Sequence, residues 1–469
     1  MTKSEPIVRE LSCFNAYDVR GKIDTEFDGD VCYRIGISFS KVLKASCVVV
    51  GYDARLSSHK LAQSLVKGLN DEGTKVLYLG LCGTEEMYFA TSHFDADGGI
   101  IVTGSHNPID YNGLKMVKSK SRPLDQENEF FEIKRVAERL DQLSINPKER
   151  NVKDISSLNR SAYCSKIISF VDDCTFRPLK IVVNFGNGAA GPTFDSIVKQ
   201  GAFKTKKLKF IKLFYKPDGT FPNGIPNPMI LENQIITSNA VLREGADLGI
   251  AFDGDFDRCF FFDEKGKFVS GEHIIGLLAS TFLNKEAEAT IVHDPRIIWN
   301  IEDIVKKLNG KCVQSRTGHA FIKKSMRQHN AIYGGEISAH HYFRDFFFCD
   351  SGMVPWLLVC SMMSQAEQSL SLLVGAQVSA FPSSGEHNFI VNDTKEMIEF
   401  ISNYYKKDQA SIDTTDGVSI SMKNWRMNLR ASNTEPLLRL NIESIANKQL
   451  VVEKLKEVTH LIKINLGKV

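Results

Sequence analysis

The chain has 469 residues, of which 43% are hydrophobic and 24% charged, the composition of a globular protein with several cores and not of a disordered or fibrous chain. Its 58 Lys and Arg against 56 Asp and Glu leave no global field to attract nucleic acid or an anionic membrane, so any anion has to be bound by a local site. The ten cysteines include no C-x-x-C pair, which argues against a zinc ribbon, a thioredoxin-like motif and a disulfide framework; with an opening Met-Thr-Lys-Ser-Glu-Pro that lacks a signal-peptide core, a cytoplasmic protein is expected.

From residue 46 the pattern alternates. A β-branched run at residues 47–50 is followed by a helical stretch at 57–70, a second strand at 75–79 and a helix from Glu85. A third strand, 99–102, feeds Thr103-Gly-Ser-His-Asn-Pro108. Ser105 is a nucleophile candidate there, and His106 and Asn107 are suited to bonding a phosphate. A plain turn serine fits the same pattern, and no G-x-S-x-G elbow supports a hydrolase triad. Lys115 is either a surface charge or a proton-transfer group.

A second cycle starts with strand 179–184 and turns through Gly186-Asn-Gly-Ala-Ala-Gly191, formally a dinucleotide fingerprint. The next strand, about 208–215, does not end in the acidic residue that a ribose would need, so the glycines read as a tight turn with close helix packing. Strand 248–252 then enters Asp253-Gly-Asp-Phe-Asp-Arg258. These carboxylates can converge on a cation only if the backbone curls, and hard oxygen ligands suit magnesium. A calcium loop is excluded by Arg258 at the position that needs glycine and by the strand-like apolar residues 259–262. A solvated acidic turn is the plain alternative.

The third cycle runs from strand 290–293 to an extended segment at 331–338. Glu336 and Ser338, two apart on an extended chain, share one face and match vicinal sugar hydroxyls; a structural salt bridge is the alternative for Glu336 and a buried imidazole for His340. The apolar stretch at 354–363 is too short for a membrane span and contains Pro355. Short strands at 418–422, 426–429 and 437–442 and a helix at about 448–461 close the chain as a small α+β domain. Within it Arg430-Ala-Ser-Asn-Thr434 concentrates a guanidinium, two hydroxyls and an amide, a better anion site than a solvated turn. Four domains are expected: 1–158, 159–262 and 263–375, each mixed or parallel α/β, and 376–469.

Together with Phe14-Asn-Ala-Tyr-Asp-Val-Arg-Gly21, these motifs resemble the alpha-D-phosphohexomutase family over nearly the whole chain, in the family's order. Residues 333–357 and 425–442 look most like its bacterial phosphomannomutases. The resemblance implies four domains around a central cleft, with Ser105 as a phosphoserine and Asp253, Asp255 and Asp257 as magnesium ligands beside an oxygen of the Ser105 phosphate. It implies that Glu336 and Ser338 bind sugar hydroxyls and that Arg430, Ser432, Asn433 and Thr434 hold the phosphate that is not reacting. Arg20, His106, Lys115, Arg258 and His340 match positions around the reacting group, with Lys115 and His340 as proton-transfer candidates. Gly104, where the family commonly has alanine, is expected to loosen the loop.

The implied activity interconverts mannose 6-phosphate and mannose 1-phosphate through a hexose 1,6-bisphosphate that also serves as activator, supplying GDP-mannose and polysaccharide synthesis. The implied partners are a hexose phosphate and no nucleic acid or membrane, in a monomer or weak homodimer. Phosphoglucomutase or dual specificity is the alternative, because the two sugars differ only at C2. A phosphatase, a non-catalytic sugar-phosphate binder and an NAD-dependent oxidoreductase are the competing classes.

Overall fold

Val48, Val49 and Val50 are fully buried at the middle of a seven-stranded sheet. A computed structural model of the chain describes residues 9–140, 148–171, 174–201, 206–406, 410–432 and 437–466. They form two compact units, Met1–Phe268 with Cys349–Glu367, and Val269–Phe348 with Gln368–Val469.

In the first sheet Gly98–Val102, Cys47–Tyr52, Lys75–Leu81 and Val152–Asp154 run parallel in that order, as strands joined through helical crossovers must. The crossover helices are Ser58–Glu72 and Thr84–His93. Beyond Gly98–Val102 lie two antiparallel strands, Tyr111–Lys118 and then Val19–Lys22. The second sheet repeats the plan: Leu208–Leu213, Leu179–Asn184 and Leu248–Phe252 are parallel, and Cys259–Phe262 is antiparallel to the last. In the second unit Lys311–Gln314, Thr290–His293 and Tyr333–Gly335 are parallel, with His341–Phe343 antiparallel.

In all three sheets a parallel strand hands over to an antiparallel neighbour through a short polar loop, at residues 103–110, 253–258 and 336–340. Each loop leaves the carboxyl end of its strand, where open α/β sheets bind ligands. The fourth sheet is wholly antiparallel, in the order Ser383–Ile390, Leu437–Ser444, Trp425–Ala431, Val418–Ser421, Ser411–Asp413. Trp425, Met427 and Leu429 alternate onto one face, where they meet Ile401 and Tyr405 of helix Thr394–Lys406 and Val458 and Ile462 of helix Lys448–Leu466.

The apolar stretch with Pro355 is helix Met353–Gln365, a core element of the first unit. Its Trp356 is fully buried, with ring centroids 5.0 Å from Phe194 and 5.9 Å from Phe210. Pro355 lies in the first turn, where the missing N–H has no helical acceptor to lose. The Gly352 and Met353 N–H groups donate instead to Glu85, each at 3.1 Å. Among the described residues no single helix is long and apolar enough to cross a membrane.

Candidate active site

The first unit assembles a nucleophile against a carboxylate cluster. Ser105 follows the Gly98–Val102 strand and takes a left-handed backbone, φ 46°, which costs an L-residue about 1–2 kcal/mol and persists only where the surroundings impose it. Its N–H donates to Thr103 Oγ1 at 2.8 Å. Its hydroxyl donates to Asp253 Oδ2 at 3.2 Å and lies 3.0 Å from His106 Nδ1. That nitrogen accepts from Arg258. Burial, reinforced by the Arg258 charge, holds His106 well below the usual imidazole range, so the ring is neutral and its Nδ1 is free to accept.

The aspartates converge because the loop curls. Phe256 is left-handed at φ 47° and its N–H returns to the Asp253 carbonyl at 3.2 Å, which brings one oxygen of each carboxylate within 4.8 Å of the others. Asp253 Oδ2 accepts from Arg258 Nε at 2.8 Å and Nη2 at 2.7 Å. Lys115 donates to Asp255 Oδ2 at 2.8 Å and also to Asp257 Oδ2, while Thr84 donates its hydroxyl to Asp255. Oδ1 of Asp253 and of Asp255 is buried without a hydrogen-bond partner. Such orphan carboxylate oxygens in a dry site are what a hard divalent cation requires, so the residues fit a metal.

Burial raises the Asp253 carboxyl to about 6 despite Arg258. Burial acts on Asp255 in the same sense, but Lys115 outweighs it and keeps that carboxylate well below the usual range. Lys115 is held well above its own, because Asp255 and Asp257 overcome the effect of burial.

Two glycines let the backbones meet. A β-carbon on Gly254 would stand 2.5 Å from the Ser105 carbonyl oxygen, and one on Gly188 2.8 Å from that of Gly254. The turn resembling a dinucleotide fingerprint is thus a buttress for the carboxylate loop, with Ala189 N–H on the Gly254 carbonyl at 3.0 Å. Gly104 is not a loosening: a β-carbon there would lie 2.3 Å from Arg55 Nε, so the loop is clamped at this residue. Arg20 donates to the Thr103 carbonyl at 2.9 Å.

The second unit holds the recognition residues. Arg430 Nη2 and Arg296 Nη1 approach Glu386 Oε2 at 3.4 and 3.5 Å, and Arg439 Nη1 approaches Oε1 at 3.4 Å. Arg296 is separately paired with Asp294 at 2.8 and 3.0 Å. Arg430 Nε, in the midst of these guanidiniums, is buried without a hydrogen-bond partner, a donor suited to an anion. Ser432 accepts from Arg439 at 3.3 Å and Ser338 from Arg296 at 3.4 Å, so Ser338 and the clamp form one cluster. Asn433 and Thr434 lie outside the described residues.

One expectation is corrected. Residues 336–339 are not extended, because the strand ends at Gly335. Ala339 is left-handed at φ 70°, its N–H returns to the Glu336 carbonyl at 2.9 Å, and Asp294 draws in the Ile337 N–H at 2.9 Å. A shared strand face therefore does not relate Glu336 to Ser338. Glu336 is buried, accepting from Gly318 N–H at 2.7 Å and from the Tyr342 hydroxyl. His340 is half-buried with its ring 6.0 Å from that of Tyr342.

Sequence reading missed Asp53, Arg55, Thr84, Arg296, Glu386 and Arg439. For Asp53 and Arg55 a signal existed: Gly51-Tyr-Asp-Ala-Arg55 leaves the carboxyl end of a parallel strand, the criterion that singled out the other motifs.

Family models described as phosphoglucomutase/phosphomannomutase alpha/beta/alpha domains I, II and III and C-terminal domain match residues 12–144, 161–266, 270–381 and 386–458. The chain is 50% identical over 456 residues to a phosphomannomutase of Escherichia coli, covering 97% of this chain and 100% of that protein. It is 49% identical over 462 residues to a phosphomannomutase of Vibrio cholerae, covering 97% and 99%. Among solved structures it is similar to a phosphoglucomutase/phosphomannomutase family protein from Burkholderia thailandensis, with TM-score 0.84, 28% identity and coverage of 97% and 98%.

Proposed function

We propose, because the chain belongs to the phosphoglucomutase/phosphomannomutase family, that it is a phosphomannomutase working through phosphorylated Ser105 and a hexose 1,6-bisphosphate. The observation that carries this reading is the Ser105 hydroxyl 3.2 Å from Asp253, within a buried cluster of three aspartates. A sugar-phosphate binder would need the arginine cluster but not a nucleophile beside such carboxylates. The two bacterial phosphomannomutases at about half identity favour mannose over glucose.

Phosphorylated Ser105 gives its phosphoryl group to O6 of mannose 1-phosphate; the O6–phosphorus bond forms, the Oγ–phosphorus bond breaks, O6 gives up its proton to a base and the leaving Oγ takes one up. The resulting bisphosphate turns over, and Ser105 Oγ, losing that proton, bonds to the phosphorus on O1; the O1–phosphorus bond breaks and O1 is protonated, leaving mannose 6-phosphate. Asp253, Asp255 and Asp257 would hold magnesium, which when bound would supply positive charge against the charge developing on the transferred group. Arg258 orients Asp253 and His106 beside the nucleophile. Lys115, which lies against Asp255 and Asp257, and His340 are the proton-transfer candidates. Arg430 and Ser432 grip the phosphate that is not reacting, with Glu336 and Ser338 on the sugar hydroxyls. In the reverse direction the same steps give mannose 1-phosphate, which suits GDP-mannose synthesis in the cytoplasm.

Incubation with a hexose 1,6-bisphosphate followed by peptide mass analysis tests the nucleophile: one phosphoryl group on Ser105 is expected, and none there after full equilibration removes the assignment. Exhaustive chelation is expected to abolish turnover, with activity returning on addition of magnesium; full activity of the chelated protein contradicts the metal assignment.

Arg430→Lys is expected to weaken forward and reverse kcat/KM alike, chiefly through KM. A guanidinium grips two phosphate oxygens where an ammonium offers a point charge. The loss of one charge-assisted bond, about 1.5–3 kcal/mol, corresponds to roughly ten- to hundredfold. An unchanged constant in either direction, with the circular-dichroism spectrum intact, rules out one clamp shared by both half-reactions.

A further inference from the structure

Asp53 and Arg55 follow strand Cys47–Tyr52 and reach the Ser105 loop from below. Arg55 has a side chain only 2% exposed, and it spends its donors on that loop. Its Nη1 donates to the carbonyls of Pro108 at 2.7 Å and Tyr111 at 2.9 Å. Its Nη2 donates to those of Ser105 at 3.0 Å, Gly104 at 3.4 Å and Asn107. Asp53 takes the complementary groups, the Thr103 hydroxyl at 2.8 Å and the Gly104 N–H at 3.1 Å. The guanidinium carbon lies 5.3 Å from the centre of the Phe221 ring, which helps to keep water off these bonds.

The Ser105 carbonyl is therefore fixed from two sides, by Arg55 Nη2 and by the close backbone of Gly254 in the aspartate loop. This is the same residue that carries the left-handed φ of 46°. Released from these holds, a serine relaxes to a right-handed or extended backbone, and its Oγ swings away from Asp253. Neither Asp53 nor Arg55 hydrogen-bonds Ser105 Oγ, and neither belongs to the arginine cluster of the second unit.

Resting on the reading of Ser105 as the nucleophile, we infer that Arg55, with Asp53 as its counterpart, is a positioning residue that holds the Ser105 backbone in the strained conformation from which phosphoryl transfer occurs. Lysine cannot replace it, because one ammonium has three donors and no planar fork to span five carbonyls.

The test is the single-turnover rate of Ser105 phosphorylation by a hexose 1,6-bisphosphate, with steady-state kcat and KM, for wild type, Arg55→Lys, Arg55→Ala and Asp53→Asn. For Arg55→Lys the phosphorylation rate and kcat are expected to fall together by about a hundredfold, the effect of displacing a reacting atom by an ångström. KM for the hexose phosphate is expected to stay within about threefold, because the phosphate clamp is untouched. Added guanidinium ion is expected to restore part of the phosphorylation rate of Arg55→Ala, which a merely destabilised fold does not allow. Asp53→Asn, which leaves the arginine in place, is expected to show the same kcat-selective loss and decides the matter if the Arg55 variants do not fold. Folded variants that phosphorylate Ser105 at the wild-type rate, or whose KM rises at constant kcat, overturn the inference alone. Wild-type protein that never accepts a phosphoryl group on Ser105 overturns the reading beneath it as well.

Discussion

Ser105→Ala is expected to lower turnover by at least about 10⁴-fold, since it removes the atom that carries the phosphoryl group between the two half-reactions. The loss is chemical and not structural. The hydroxyl contributes one bond to Asp253 and one contact with His106, and Asp253 keeps both of its bonds to Arg258 when it is gone. Alanine and serine meet the same left-handed backbone at similar energy, and the N–H bond to Thr103 does not depend on the side chain. The melting temperature should therefore stay close to wild type while turnover disappears. A variant that keeps wild-type turnover shows that another group carries the phosphoryl.

Asp255→Asn is expected to lower kcat at saturating magnesium by at least about 10³-fold and to lower stability at the same time. Asp255 is fully buried and accepts from Lys115 and Thr84, with its other oxygen unpartnered. An amide keeps the shape but removes the negative charge that both a metal and the Lys115 ammonium require. Removing a sole buried partner costs about 3–5 kcal/mol; Lys115 retains Asp257, so the loss should be smaller, about 2 kcal/mol. Thermal unfolding and a magnesium titration of turnover read the two effects separately. Wild-type kcat at high magnesium contradicts the assignment of Asp255 to the metal site.

The strands at residues 47–50, 75–79 and 179–184 were legible because buried parallel strands demand runs of β-branched and aliphatic residues, and such runs are visible one residue at a time. The carboxylate loop was legible as a set of ligand types but not as a shape. Its curl depends on a left-handed Phe256, a conformation that nothing in a phenylalanine announces. The Glu336–Ser338 face failed for a related reason: strand periodicity does not extend past Gly335, where the chain enters a turn that closes at the left-handed Ala339.

Arg55 is a different case: its place after a parallel strand marked it as a candidate, but its burial and its hold on the 103–111 loop become apparent only when that loop folds over it. Arg296, Glu386, Arg430 and Arg439 are spread over more than a hundred residues, and only the packing of the fourth sheet beside the Asp294 loop brings them together.

The most direct test of a Ser105-centred phosphomannomutase is to follow mannose 1-phosphate by phosphorus NMR in the presence of magnesium and a trace of hexose 1,6-bisphosphate, with glucose 1-phosphate in a parallel sample. The account predicts conversion to mannose 6-phosphate without release of inorganic phosphate, at a kcat/KM higher than that for the glucose substrate. Accumulation of inorganic phosphate in place of the 6-phosphate, or no turnover of either sugar, would contradict it.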